Sequence, residues 1–289
     1  MPLKSIPKNI RFAGKITGIV IISVICLRVF VFDPFEIPAS SMEPTLLEGD
    51  FFLVNKLVLG ARIYKNFNFM KGGKVETKRL WGWRNVRRND VLVFNYPYSD
   101  WGKLDFDLNT FYVKRCVAIP GDTIYIDNGI YKVKNCPDTL GVYENQRTFA
   151  GVGQEMINSG IWNCFPYNKT YKWNVRNFGP LYVPRKGDTL QVDTNNIKLY
   201  RKLIRYETGK KISIQGDTVY LNNNEVLQQY VFTKNYYFMA GDWVQDSRDS
   251  RYWGLLPEDH IVGKAAIIWK SKNARTGKYR WERFFRIIN

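Results

Sequence analysis

Two adjacent serines, Ser40 and Ser41, lie in a loop that Pro38 and Pro44 keep out of helix, between an apolar segment and a strand-like run from Phe51 to Val54. A serine held in so rigid a loop is a candidate nucleophile, and it needs a neighbouring base to take its proton. The chain has a single histidine, His260, in the turn-to-strand stretch Pro257-Glu258-Asp259-His260-Ile261, where a surface position is expected. A Ser/His/Asp triad is therefore disfavoured. The base that remains is a lysine. Free lysine, with a pKa of about 10.4, is neutral in fewer than roughly one molecule in a thousand at pH 7. Burial strips water from the ammonium and lowers that value by about 3 to 5 units, enough to make a usable base. Lys114 is placed for this, inside the apolar strand Phe111-Tyr112-Val113-Lys114-Arg115-Cys116-Val117-Ala118. Its neighbour Arg115 must point to the opposite face of the strand and stays protonated. No Cys/His cluster has metal-ligand spacing, so this chemistry calls for neither metal nor cofactor.

The elements that must hold these groups read as mainly β. Short Val/Ile/Tyr/Phe runs alternate with Gly, Asn, Asp and Pro over 289 residues, a length that can bury a substantial core. Ahead of them, residues 16–32 are apolar apart from Arg28, which can snorkel to an interface, and read as a transmembrane anchor. The basic tail 1–15 carries Lys4, Lys8, Arg11 and Lys15 and no acid, so the N-terminus is expected in the cytoplasm and everything after Phe32 outside. Asp33-Pro34-Phe35-Glu36 is a poor cleavage site, which favours an uncleaved anchor. The net charge of +17 is scattered and lacks any nucleic-acid-binding signature; beside anionic lipid headgroups it has a plain use.

Along the body, residues 60–90 read as a long β-ribbon turning at Met70-Lys71-Gly72-Gly73-Lys74, with Trp81 and Trp83 near its base or tip. Val91 to Phe94 is a short buried strand. The echo between Gly121-Asp122-Thr123-Ile124-Tyr125 and Gly216-Asp217-Thr218-Val219-Tyr220 suggests two hairpins bracketing a β-rich insertion, 124–228, whose only long helix is expected from Asn195 to Glu207. The catalytic core is then 33–123 with 229–289. Cys136 and Cys164, both in the insertion, are candidates for a disulfide in an exported domain. The stretch from Met239 to Gly254, with alternating charges and tight turns, reads by itself as a solvated loop. The aromatic, basic tail with Trp269, Trp281, Phe284 and Phe285 suits either a membrane interface or a packed strand.

Ser41-Met42-x-Pro44-Thr45-Leu46, Gly49-Asp50, Lys114-Arg115 with Pro120-Gly121-Asp122, and Gly241-Asp242 with Ser247-x-Asp249-Ser250-Arg251-Tyr252-Trp253-Gly254 together resemble the ordered motif boxes of bacterial type I signal peptidases. The resemblance spans the anchor and the body apart from the insertion and tail. It implies a single-pass serine endopeptidase of the bacterial inner membrane, active on its outer side near the secretion channel, that cuts signal peptides from exported preproteins after small residues. By matched position it makes Ser41 the nucleophile, Lys114 the general base and Ser247 the hydroxyl that orients the lysine. Asp242 with Arg115 and Asp249 with Arg251 become bracing ion pairs. Ile37, Pro38, Ala39, Met42, Leu46, Tyr112 and Val113 become the lining of shallow substrate pockets.

Two departures accompany the match. Ala39 stands where many members carry a serine that helps bind the oxyanion, leaving the Ser41 N–H and Ser40 as donors. Trp243-Val244-Gln245 replaces a polar run. Both motivate an alternative reading, a catalytically weak, membrane-anchored binding or scaffold protein. A soluble Ser/Lys autoprotease is disfavoured by the anchor.

Overall fold

The computed structural model describes residues 8–65, 75–98, 103–157, 159–222 and 225–289. The first helix, α1 (Lys8–Phe30), contains one stretch, Phe12–Phe30, long and apolar enough to cross a membrane, with a mean hydropathy of 2.0 and none of it buried. It begins earlier and ends sooner than the apolar run alone suggests, because Phe32 already belongs to strand β1 (Phe32–Glu36). Pro34 tolerates this position because β1 is an edge strand, paired only to β2 (Asp50–Asn55). The end of α1 is fastened to that edge. Lys56 Nζ donates to the Arg28 carbonyl at 2.8 Å and to Asp33 Oδ2 at 2.9 Å, and Arg28 Nη2 donates to Asp33 Oδ1 at 3.1 Å.

The strands β3 (Arg62–Tyr64) and β4 (Thr77–Arg79) form the described part of the ribbon, whose expected turn at 70–74 lies outside the described residues. Past Arg79 the chain returns along residues 57–61, through Leu80 N to Ala61 O and Trp83 N to Leu57 O, so Trp81 and Trp83 sit exposed at the ribbon's base. Next come β5 (Val91–Asn95) and β6 (Phe111–Ala118). After the insertion the chain resumes with β15 (Tyr236–Ala240), β16 (Leu256–Pro257), β17 (Ile261–Ser271) and β18 (Arg286–Ile287). The main sheet is antiparallel in the order β1-β2-β17-β5-β6-β15-β16, with β18 beside β17. Although three strands separate β1 from β6, the Phe35 and Phe111 rings meet at 5.2 Å. The sheet therefore curls, as strand twist favours, and brings its edge round to face β6.

β5 is buried throughout and divides the interior. Val91 and Val93 join Met42, Leu46, Phe52 and Val262 in a smaller core, while Leu92 and Phe94 join a larger one that runs on into the insertion through Ile124, Phe178 and Leu203. Between β6 and β15 lie β7 (Thr123–Asp127), β8 (Ile130–Val133) and β9 (Phe178–Tyr182) in one sheet, β10 (Thr189–Gln191) paired to β14 (Gln229–Val231), just past the expected end of the insertion, and β11 (Ile212–Gln215) with β12 (Thr218–Leu221) and β13 (Glu225–Val226). The two echoed segments are β7 and β12, each running into an asparagine of positive φ, Asn128 and Asn222. Helix α4 (Ile197–Thr208) lies where a helix is expected, but α2 (Tyr143–Ala150) and the short α3 (Ser159–Trp162) are additional. All four cysteines are free, so Cys136 and Cys164 do not pair.

Asp50, in the Gly49-Asp50 box, is fully buried and gathers three segments. It accepts from Leu47 N at 2.8 Å, from Ser271 Oγ at 2.6 Å and from Arg283 in a forked pair, while Arg283 Nη2 also reaches Thr45 O at 3.0 Å. Replacing Asp50 by Ala leaves a buried guanidinium without a carboxylate, and removing one partner of such a pair costs about 3–5 kcal/mol. Thermal unfolding in detergent should show Asp50→Ala strongly destabilised; an unchanged Tm would mean that this clasp constrains nothing.

Candidate active site

Ser41 sits in a single 3-10 turn, Ser40–Met42, entered from an extended Ala39 (φ −141°, ψ 153°) and closed by Glu43 N donating to Ser40 O at 2.9 Å. The turn is held down by its apolar neighbours, since Met42 and Leu46 are buried in the smaller core and Leu46 N donates to Met42 O. Lys114 comes from the part of β6 that pairs with Leu92 of β5 and leaves its other edge open, because β15 joins β6 only from Arg115 onward. Its Nζ donates to Ser41 Oγ at 2.6 Å and to Val113 O at 3.0 Å. The side chain is only 4% exposed. Burial lowers the Lys114 pKa to about 8; the carboxylates of Asp249 and Asp242 pull the other way without prevailing.

Arg115, one residue on, turns to the opposite side of the strand and is buried as well. Its Nε and Nη2 donate to the two Asp242 oxygens at 2.7 Å each, and its remaining donors reach Thr45 Oγ1, Asn89 O and Asn289 O. Arg251 makes the same forked contact with Asp249, at 2.8 Å through both Nε and Nη2. Burial disfavours the Asp249 carboxylate, but Arg251 outweighs it and holds the group below its ordinary pKa. The stretch from Met239 to Gly254 is thus largely interior, because Asp249 pairs with Arg251 within it and Asp242 with Arg115 of β6, leaving only Asp246 and Arg248 exposed; a solvated loop is not what forms. Gly241 is needed for the approach: a Cβ there would lie 2.1 Å from Ser247 Oγ and 2.6 Å from Ser41 O. Ser247 Oγ is buried near Asp249 without a well-aligned hydrogen bond and makes none to Lys114.

A cleft of about 510 Å³ opens over this pair, walled by the β1 end from Phe35 to Met42 on one side and by Phe111 to Lys114 on the other. Of the residues expected to line it, Ile37, Pro38, Ala39, Met42, Tyr112 and Val113 do. Leu46 does not; it lies fully buried behind Met42. Ser40 Oγ donates to Asp246 Oδ2 at 3.0 Å, so its proton is directed away from any oxyanion. Phe35, Glu36, Phe111, Asp246 and Arg248 also line the cleft and were not foreseen. The two phenylalanines were readable as neighbours of Glu36-Ile37 and of Tyr112. The charged pair occurs in the loop whose sequence departs most from the resemblance. His260 is remote from this chemistry and is buried, not superficial: it stacks on Phe106 at 4.5 Å, with Nδ1 against Asp259 Oδ1 and Nε2 against Asp105 O.

A hydroxyl 2.6 Å from an amine of lowered pKa can pass its proton to that amine once the amine is neutral. Acylation of Ser41 by a serine-directed ester should therefore rise about tenfold per pH unit up to the Lys114 pKa of about 8 and level off above it, because the protonated amine below that pH cannot accept. A rate that is flat from pH 6 to 9 would exclude Lys114 as the controlling group.

The sequence matches the family described as signal peptidase, peptidase S26, over residues 10–155 and 182–270. Among curated proteins it is similar to signal peptidase I of Pseudomonas aeruginosa, 30% identical over 270 residues that cover 89% of this chain and 72% of that one. It is similar also to signal peptidase I of Buchnera aphidicola from Schizaphis graminum, at 29% over 253 residues, covering 86% and 71%. The Aquifex aeolicus signal peptidase I is 28% identical over 256 residues, covering 88% and 81%. With most of its length matched, through the first helix, the turn that carries Ser41 and the strand that carries Lys114, the chain belongs to the signal peptidase family, peptidase S26.

Proposed function

We propose that the protein is a membrane-anchored serine endopeptidase that removes N-terminal signal peptides from exported preproteins, using Ser41 as nucleophile and Lys114 as general base. The contact that carries this reading is Lys114 Nζ to Ser41 Oγ, 2.6 Å apart, in a cleft between two open strand edges. A peptide entering as an extended strand adds to such edges by main-chain hydrogen bonds and turns alternate side chains to the walls. The floor is already filled by Met42, Ile37 and Val113, which leaves room for small side chains and supports cutting after an Ala-X-Ala type sequence.

In the reaction, neutral Lys114 takes the Ser41 proton as Oγ bonds to the scissile carbonyl carbon. The protonated amine then gives that proton to the departing nitrogen as the C–N bond breaks, leaving a serine ester. Lys114 next deprotonates a water that attacks the ester, and the proton returns to Oγ as the acyl group leaves. The developing oxyanion is met by the Ser41 N–H, which in the first turn of its 3-10 helix has no carbonyl three residues back to serve. Ser247, buried beside the pair, is assigned to orienting the amine, and the two arginine–carboxylate pairs to bracing the loop. Lys4, Lys8 and Arg11 ahead of the candidate span Phe12–Phe30, with Lys15 near its start, support a cytoplasmic N-terminus and a cleft on the outer side of the bacterial inner membrane, where preproteins emerge.

Cleavage of a detergent-solubilised preprotein, followed by mass spectrometry of the products, tests the assignment. Ser41→Ala and Lys114→Met should each lower kcat by at least about a thousandfold while the chain stays folded. Retention of activity in both would sink the Ser/Lys assignment, whereas no cleavage by the unchanged chain would favour the scaffold alternative. A second expectation concerns the missing hydroxyl. Since Ser40 is engaged by Asp246, Ala39→Ser should raise kcat, by up to about a hundredfold if its hydroxyl meets the oxyanion; an unchanged kcat would mean that the Ser41 N–H suffices.

A further inference from the structure

Helix α2 of the insertion reaches the catalytic loops through one side chain. Asn145 Nδ2 donates to Glu43 O at 3.0 Å and to Asp242 O at 2.7 Å. Both acceptors are carbonyls, so the amide can face them only with its nitrogen, and both of its N–H groups are spent. The two carbonyls belong to the two segments that must meet. Glu43 closes the turn bearing Ser41, through Glu43 N to Ser40 O. The Asp242–Trp243 peptide accepts from Asn145 at its oxygen and donates from Trp243 N to Ser41 O at 3.1 Å. Asn145 therefore closes a ring of hydrogen bonds running from the Ser41 carbonyl through the Asp242–Trp243 peptide and the amide to Glu43, two residues past Ser41. The helix that presents it is itself fixed: the adjacent Gln146, almost wholly buried, accepts from Tyr131 N at 2.9 Å and donates to Leu140 O, and Phe149 enters the larger core.

We infer that Asn145 is a positioning residue for the reaction, through which the insertion holds the Ser41 turn against the Gly241-Asp242 loop. The inference rests on Ser41 being the nucleophile. Asn145 touches neither Ser41 Oγ nor Lys114 Nζ; it sets the plane of a peptide that holds the Ser41 carbonyl and so the direction in which Oγ points. Its loss changes no charge around Lys114, so it lowers the rate without altering the lysine's protonation.

The test uses the full chain in detergent with a preprotein substrate, comparing Asn145→Ala, Asn145→Asp, Asn145→Gln, Arg147→Ala and Ser41→Ala. Misplacing a nucleophile by about 1 Å costs on the order of a hundredfold. Asn145→Ala and the isosteric Asn145→Asp, which offers carbonyls an acceptor, should therefore lower kcat about 10- to 100-fold, with KM within about twofold. In Asn145→Ala the limb of the pH profile near 8 should stay in place; Asn145→Asp, which adds a carboxylate, is compared on the plateau above the limb. Asn145→Gln, which keeps both donors, should recover part of the rate, and Arg147→Ala, exposed on the same helix, should behave as the unchanged chain. If Asn145→Ala does not fold, Asn145→Asp decides alone. The inference is overturned if Asn145→Asp keeps kcat within twofold while Ser41→Ala is inactive. It is overturned equally if the loss in Asn145→Ala comes with a lower Tm and a pH limb moved upward, since with no charge added that signals water entering a loosened lysine pocket, or if both variants fail to fold. Activity retained by Ser41→Ala would instead remove the dyad reading on which the inference stands.

Discussion

A buried lysine in the middle of a strand, its pKa lowered to about 8, is what the rest of this structure has to accommodate. Burial of Lys114 lowers its pKa, yet the loop that closes over it carries two buried carboxylates, Asp249 and Asp242, whose field acts in the opposite direction, with the exposed Asp246 adding to it. The lysine stays low because each carboxylate has its own guanidinium, Arg115 for Asp242 and Arg251 for Asp249, in forked contacts that leave little negative charge to spare. Those pairs are themselves buried, where an unpaired ion costs several kcal/mol, so none of the four can be withdrawn singly. Catalytic electrostatics and loop architecture are here the same set of bonds.

The geometry that delivers the serine is built on apolar anchoring. Met42 and Leu46 sink into the smaller core on either side of Pro44, and Gly241 clears the space in which Ser41 O and Ser247 approach each other. The curl of the sheet then turns an edge strand and a half-open strand toward one another, so that a cleft forms with unpaired main chain on both walls.

Much of this was legible from residue types. A lysine in an apolar strand, two serines between prolines, and a single histidine pointed to a serine–lysine pair, the resemblance of the motif boxes chose Ser41 over Ser40, and the apolar run marked the first helix. What was not legible depended on distant partners. His260 looked superficial because its burial depends on Phe106, Asp105 and Asp259 coming together around it. Leu46 carried a motif position, but its role is to support Met42, a distinction that only packing reveals. Helix α2 begins with no side-chain cap and has a polar composition, so nothing local announced it, and Asn145 had no signal at all. The cysteines of the insertion were countable, but their separation was not.

The Asp50 clasp also bears on the order in which the protein is made. Thr45 and its partner Arg283 stand 238 residues apart, and synthesis at roughly 5–20 residues per second takes about 12 to 48 seconds to cover that distance. Throughout that interval the emerged serine turn lacks Arg283, and it also lacks the Asp242 and Trp243 main-chain partners until they are translated. A cleft braced by segments so far apart cannot be complete before Arg283 has been translated.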